Sequence, residues 1–153
     1  MRKPKDTGSN TKVAVSACLL GENCRYDGGN RRDEELIKEI KEYDVVSFCP
    51  EDNILGTPRE TIDLIKKDGS IRAIGNESRK DYTEKIANEA QRFAKRYPDI
   101  EKFFLKSKSP SCALCSARVY DENCNLLKSD ETGIFAKKLK EFYKNAEFVE
   151  RNP

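Results

Sequence analysis

Short apolar runs and segments of helical periodicity alternate along this chain, and that alternation sets the narrowest limits on how it folds. "VAVSACLL" (13–20) is rich in small and β-branched residues and reads as a buried strand entering a loop. "DEELIKEIKEY" (33–43) follows, with Leu36, Ile37, Ile40 and Tyr43 at helical spacing and acids in its first turn. "DVVSF" (44–48) reads as a second strand, stopped at Cys49-Pro50 because proline cannot donate to a central ladder. The segment 78–97 places Tyr82, Ile86, Ala90, Phe93 and Tyr97 on one helical face, with Pro98 beyond its end. "IEKFFLK" (100–106) is a third strand, and "ETGIFAKKLKEFYKN" (131–145) a closing amphipathic helix. Alternation at these lengths predicts a single α/β domain, a three-layer α/β/α arrangement around a Rossmann-like, mostly parallel sheet.

Between these elements the signals are weaker. "GENCRYDGGNRR" reads as a polar loop turned by Gly28-Gly29-Asn30, and "EDNILGTPRE" as a second loop. "TIDLIKKDGSIRAIG" predicts a small peripheral helix or strand pair. "ARVYD" (117–121) and "NLLKS" (125–129) predict a small hairpin, and "EFVE" a last edge strand. The domain is expected over 13–150, preceded by a flexible polar tail, residues 1–12.

Composition removes several classes of function. Charged residues are 37% of the 153, yet the net charge is only +2, which argues against a dedicated nucleic-acid binder. No apolar run is long enough to span a bilayer, and "MRKPKDTGSNTK" lacks the apolar core of a signal peptide. Six cysteines without such a signal point to a reducing, cytoplasmic setting, where thiols serve as ligands or catalysts more often than as staples. Histidine is absent, which excludes a Ser-His-Asp triad, a Cys-His pair and any mixed Cys/His zinc site.

Three of the cysteines share a position in the pattern. Cys18 ends the first strand, Cys49 follows the second, and Cys112 lies in the loop after the third. In a parallel sheet these loops emerge at one edge, so the three thiols are expected to converge. Each also has a plainer reading, since free cysteine is among the most often buried residues. Cys112 and Cys115 form a CxxC pair, but "SARVYD" reads as strand, whereas a redox pair normally opens a helix. A four-cysteine zinc site needs two close pairs, and "CLLGENC" is a poor match. Cys112 is therefore read as one ligand of a larger centre, Cys115 as a neighbouring thiol, and Cys124 as a turn residue.

Three thiolates without imidazole suit an iron–sulfur cluster in which one iron lacks a protein ligand and acts as a Lewis acid. Two other classes stay open: a closed-cluster electron carrier or sensor with Cys24 or Cys115 as fourth ligand, and a zinc-binding or structural cysteine module. Without histidine, Glu51, two residues after Cys49, is the leading acid/base candidate, and a capping or salt-bridge carboxylate is the alternative. Ser16 lies by Cys18, and Ser109 and Ser111 lie before Cys112, flanking Pro110 as turn residues do. Arg25, Arg31 and Arg32 surround the Gly28-Gly29 turn ahead of a helix start, either a place for a phosphate or a solvated basic loop.

The blocks "VSACLLGENCRYDGGN", "CPED…LGTPRE", "SRKDYTE" and "LKSKSPSC", in that order and spacing, resemble the thiouracil desulfidase family from about Val13 to Tyr143. The resemblance implies a [4Fe-4S] cluster on Cys18, Cys49 and Cys112. It also implies a substrate, thiouracil or 4-thiouridine monophosphate, whose sulfur binds the open iron and is replaced by water without net redox change. The family's catalytic carboxylate falls on Glu51 and its catalytic serine on Ser109, with Ser16, Arg25, Gly28, Gly29 and Ser111 as candidate substrate contacts. One departure is local: Ala113 stands where the family commonly has glycine, and Cys115 follows it.

Overall fold

The structure, a computed structural model, describes residues 11–153. It runs β1 (Lys12–Ser16), a short 3-10 turn (Ala17–Leu20), α1 (Glu34–Glu39), β2 (Asp44–Phe48), α2 (Pro50–Leu55), β3 (Ile62–Lys67), β4 (Ser70–Gly75) and α3 (Thr83–Arg96). It then continues through β5 (Lys102–Lys106), β6 (Ala117–Tyr120), β7 (Leu126–Glu131), α4 (Ile134–Phe142) and β8 (Glu147–Arg151). Of the tail expected over 1–12, residues 1–10 lie outside the described residues, and Lys12 already belongs to β1.

The three strands that precede the cysteines and the expected edge strand, β8, form one all-parallel sheet, ordered β2-β1-β5-β8. Side chains alternate across it as the pleat requires. Val13, Val15 and Phe104 pack with Leu36 and Ile40 of α1 on one face. Ala14, Phe103 and Leu105 point to the other face, where Ile86 and Ala90 of α3 and Phe135 and Leu139 of α4 cover them. Helices on both faces bury the central strands β1 and β5 almost completely, which is why these two read as continuous apolar runs rather than as alternation.

The remaining strands form a second four-stranded sheet, β4-β3-β6-β7, so the domain carries two sheets where the sequence pointed to one. The strand pair and the small hairpin expected at the periphery are both present, as β3–β4 and β6–β7. A lone hairpin is marginal in water. Parallel pairing of β3 with β6 joins the two, and Leu64, Ala73 and Val119 extend the same apolar core as Phe103 and Phe135. The expected loop at 51–60 is another correction, because α2 occupies its first half. Pro50 sits at the first helical position, where its missing N–H costs nothing, and Gly56 at φ +80° ends the helix.

The Cys112 loop is fastened to a helix start. No side chain caps α4; instead the amides of Gly133, Ile134 and Ala136 donate to the carbonyls of Ala113, Pro110 and Ser111, at 2.8, 2.9 and 2.9 Å. Helix α4 thus satisfies its orphan donors with the loop's backbone. The approach is so close that a Cβ on Gly133 would lie 2.4 Å from the Ser111 carbonyl.

Two outcomes follow. Gly133→Ala forces the two backbones apart; its midpoint of thermal unfolding falls, and the buried Cys112 thiol becomes accessible to an alkylating reagent, read by mass spectrometry of labelled peptides. The second concerns Asp33, whose carboxylate accepts from the Leu36 amide at 3.0 Å to cap α1 and pairs with Arg151 of β8 at 2.9 Å. The Arg151 guanidinium, then the Leu36 amide, outweigh burial and hold the Asp33 carboxyl below its ordinary value. A depressed carboxyl stabilises the fold above its unfolded pKa and loses that contribution as pH falls through the folded value. Asp33→Ala therefore lowers urea-unfolding stability at neutral pH by about 2–3 kcal/mol, cap and charged hydrogen bond together. The gap to wild type narrows below about pH 4; an equal gap in acid and at neutrality would show that the charge contributes nothing.

Candidate active site

The carboxyl ends of β1, β2 and β5 open on one cavity of about 410 Å³, lined by Cys18, Cys49 and Cys112 together. Each cysteine is held by a different device. The Cys18 carbonyl accepts from the amides of Gly21 and Arg31 at 3.2 and 3.0 Å, the first requiring Gly21 at φ +93°. Cys49 follows Phe48, whose ring is fixed among Phe93, Phe103 and Phe135 with centroids 5.5, 6.4 and 5.1 Å away. Cys112 is carried by the loop that caps α4, and the Ser109 hydroxyl accepts its amide at 2.9 Å.

The thiols differ in their electrostatics. Burial, then the neighbouring Cys49, push the Cys18 thiol up, against Lys106 and Arg25. Burial likewise pushes the Cys112 thiol up, opposed by the Ser16 hydroxyl. Cys49 is held down, chiefly by the neighbouring Cys24 thiol and with help from the Asp52 amide and Arg59, while Cys24 itself is raised by the same pairing. Among the described residues, no group of three or more Cys, Asp and Glu side chains is close enough to hold a single ion.

Glu51, in the first turn of α2, lines the same cavity. Its Oε2 accepts from the Ser111 hydroxyl at 2.7 Å, and its Oε1 lies 3.5 Å from Nε of Arg59. Ser109 is close by, with its oxygen accepting the amides of Ser111 and Cys112 at 3.1 and 2.9 Å, which leaves its O–H free to donate. Ser16 lines the cavity and accepts the Lys106 amide at 3.1 Å. Asp52, next in sequence to Glu51, bonds to Thr57 and lines an adjoining cavity of about 340 Å³ that shares Cys24 and Cys49 with the first.

The other sequence-selected residues divide. Arg25 and Arg31 line the cavity; Gly28 and Gly29 do not, and serve to close the turn between Arg25 and Gly29, with Gly28 at φ +82°. Arg32 turns to Glu34, and Asp33 already occupies the cap of α1, so that helix start is closed to an anion. Cys24 is buried against Cys49 and lines the cavity. Cys115 is exposed outside it, beside Glu150, and Cys124 is exposed in the β6–β7 turn.

Sequence reasoning did not select Arg59 and Lys106. Arg59, its side chain only 6% exposed, reaches both Glu51 and the Cys49 sulfur, the latter at 4.0 Å. Its signal lay in "LGTPRE", a block noted only for the resemblance. Lys106 ends β5 at the cavity, where burial lowers its ammonium from the ordinary value. A cation at the end of an otherwise apolar strand was the sign that marked it.

Known proteins align with this chain over nearly its whole length. A solved structure, that of the [4Fe-4S]-dependent thiouracil desulfidase TudS, superposes with a TM-score of 0.69 at 26% identity, covering 92% of this chain and 91% of the other. An uncharacterized Bacillus subtilis (strain 168) protein, YbbK, is 32% identical over 141 residues, 84% of this chain and 89% of the relative. The model of the 2-thiouracil desulfurase family matches residues 13–150. This chain belongs to the 2-thiouracil desulfurase family.

Proposed function

We propose that this protein is a [4Fe-4S]-dependent desulfidase that hydrolyses thiolated pyrimidines, thiouracil or 4-thiouridine monophosphate, releasing sulfide and leaving a carbonyl. The observation that carries this reading is the meeting of Cys18, Cys49, Cys112 and Glu51 around one cavity. An all-thiol donor set without imidazole fits an iron–sulfur cluster, and three anchors leave one iron free. When bound, the cluster supplies that iron as a Lewis acid for the substrate's sulfur.

The chain's own residues carry the protons. Glu51 accepts a proton from the water that attacks the ring carbon, its carboxylate oriented by the Ser111 hydroxyl at 2.7 Å. Ser109 donates to a ring nitrogen or to the departing sulfur with the O–H that its two backbone contacts leave free. Water oxygen replaces sulfur at unchanged oxidation level, so no external electron is needed. Ser16 and Ser111 face the bound base, and Arg25 the phosphate of a nucleotide substrate, while Gly28 and Gly29 hold the turn that carries Arg25.

The tests are anaerobic. Glu51→Gln preserves shape and cluster, and its turnover, followed by loss of thiocarbonyl absorbance at matched iron content, falls by about a hundred- to ten-thousand-fold. Asp52→Asn, at the other cavity, stays close to wild type. Single replacement of Cys18, Cys49 or Cys112 by Ala abolishes iron and sulfide retention, whereas Cys24→Ala and Cys115→Ala retain both. Complete loss in Cys24→Ala would favour the closed-cluster carrier instead. A separate comparison reads substrate size: with Arg25 at the cavity, kcat/KM for the thiouridine monophosphate exceeds that for free thiouracil, and Arg25→Ala removes the difference. Equal efficiency toward base and nucleotide in the wild type would remove the phosphate contact.

A further inference from the structure

Arg59 is a deeply embedded cation at the site, and the reaction as drawn gives it no part. Its side chain is 6% exposed, a costly place for a permanent charge unless its surroundings use it. One end is anchored: Nη1 donates to the Gly56 carbonyl at 3.1 Å and to the Thr57 hydroxyl at 2.9 Å, and the Arg59 amide donates to the Tyr26 carbonyl at 2.9 Å. Two other nitrogens are directed at the site. Nη2 lies 4.0 Å from the Cys49 sulfur, and Nε lies 3.5 Å from Oε1 of Glu51. Nε is also the one buried side-chain nitrogen or oxygen among the described residues without a hydrogen-bond partner. A buried N–H left unpaired is costly, and the Glu51 oxygen needs only a small shift to take it.

We infer that Arg59 is a positioning residue, a rigid fork that fixes Glu51 through Nε while balancing the negative charge at Cys49 through Nη2. The inference rests on the desulfidase reading and on Glu51 as its base. The Glu51 carboxylate is then held between two donors, the Ser111 hydroxyl on Oε2 and the guanidinium on Oε1, and can swing toward neither. The planar guanidinium is what allows one side chain to meet an anchor, a carboxylate and a sulfur at once. A lysine keeps the charge but cannot make all three contacts.

The experiment is a double-mutant cycle on the cluster-loaded protein, with Arg59→Gln, Arg59→Lys, Glu51→Gln and the double variant Glu51→Gln/Arg59→Gln at matched iron content. The expected result is a fall in kcat of at least tenfold in both Arg59 variants with KM nearly unchanged. The double variant turns over no more slowly than Glu51→Gln alone, because Arg59 has nothing left to position. The midpoint potential of the cluster provides a readout independent of turnover. Loss of the cation beside Cys49 shifts it to a more negative value in Arg59→Gln, and Arg59→Lys restores it toward wild type. Losses that multiply in the double variant, or an unmoved potential in Arg59→Gln, overturn the inference while leaving the desulfidase reading intact. Wild-type kcat in Glu51→Gln would sink the base assignment itself, and this inference with it. Should Arg59→Gln fail to fold, Arg59→Lys alone decides: wild-type kcat in it overturns the inference.

Discussion

The bond between the Ser111 hydroxyl and the Glu51 carboxylate is the contact on which the organisation of the site depends. It joins two segments sixty positions apart, the first turn of α2 and the loop after β5, across the carboxyl edge of the parallel sheet. Neither side is free to drift. Glu51 is fixed because Pro50 starts α2 immediately after β2, and Ser111 because the loop's carbonyls terminate the donors of α4. A short hydrogen bond between two such supports reports the register of the whole edge.

Burial and electrostatics act together here. The aromatic cluster around Phe48 lies under Cys49, so the floor of the site is apolar and closely packed. Above it sit the thiols of Cys18, Cys24, Cys49 and Cys112, the carboxylates of Glu51 and Asp63, and cations that include Arg25, Arg31, Arg59 and Lys106. Glu51 has a partner near each oxygen, the Ser111 hydroxyl and the Arg59 guanidinium, and Lys106 donates to the Ser107 carbonyl and hydroxyl. The raised thiols of Cys18 and Cys112 follow directly from this apolar floor. Any metal group that binds there must displace those protons, and its affinity depends on pH accordingly.

Much of this organisation was legible in the sequence, and the parts that were not share a physical cause. The parallel strands could be read because burial on both faces makes them continuous apolar runs, and Pro50 marks where one of them stops. Placing Cys18, Cys49 and Cys112 after those runs was then a matter of topology. The second sheet was only half legible: its hairpins show locally, but the β3–β6 pairing that joins them is a contact between distant segments without a sequence period. Helix α2 escaped because six residues are too few to display a 3.6-residue repeat. Arg59 escaped because an arginine in a loop is ordinarily solvated, and only the fold turns this one inward.

The dependence of the Cys112 loop on α4 bears on how the site comes into being as the chain is made. Cys18 and Cys49 belong to the first third of the sequence, and β1 and β2 pair directly with each other. The third thiol takes its place only after β5 has docked on β1 and the residues through Ala136 have closed over the loop. An emerging chain therefore has at most two of the three thiols in place until the residues through Ala136 have left the ribosome. The three-thiol edge is thus a property of the finished domain, and on the proposed reading fragments or stalled intermediates would offer iron an incomplete grip.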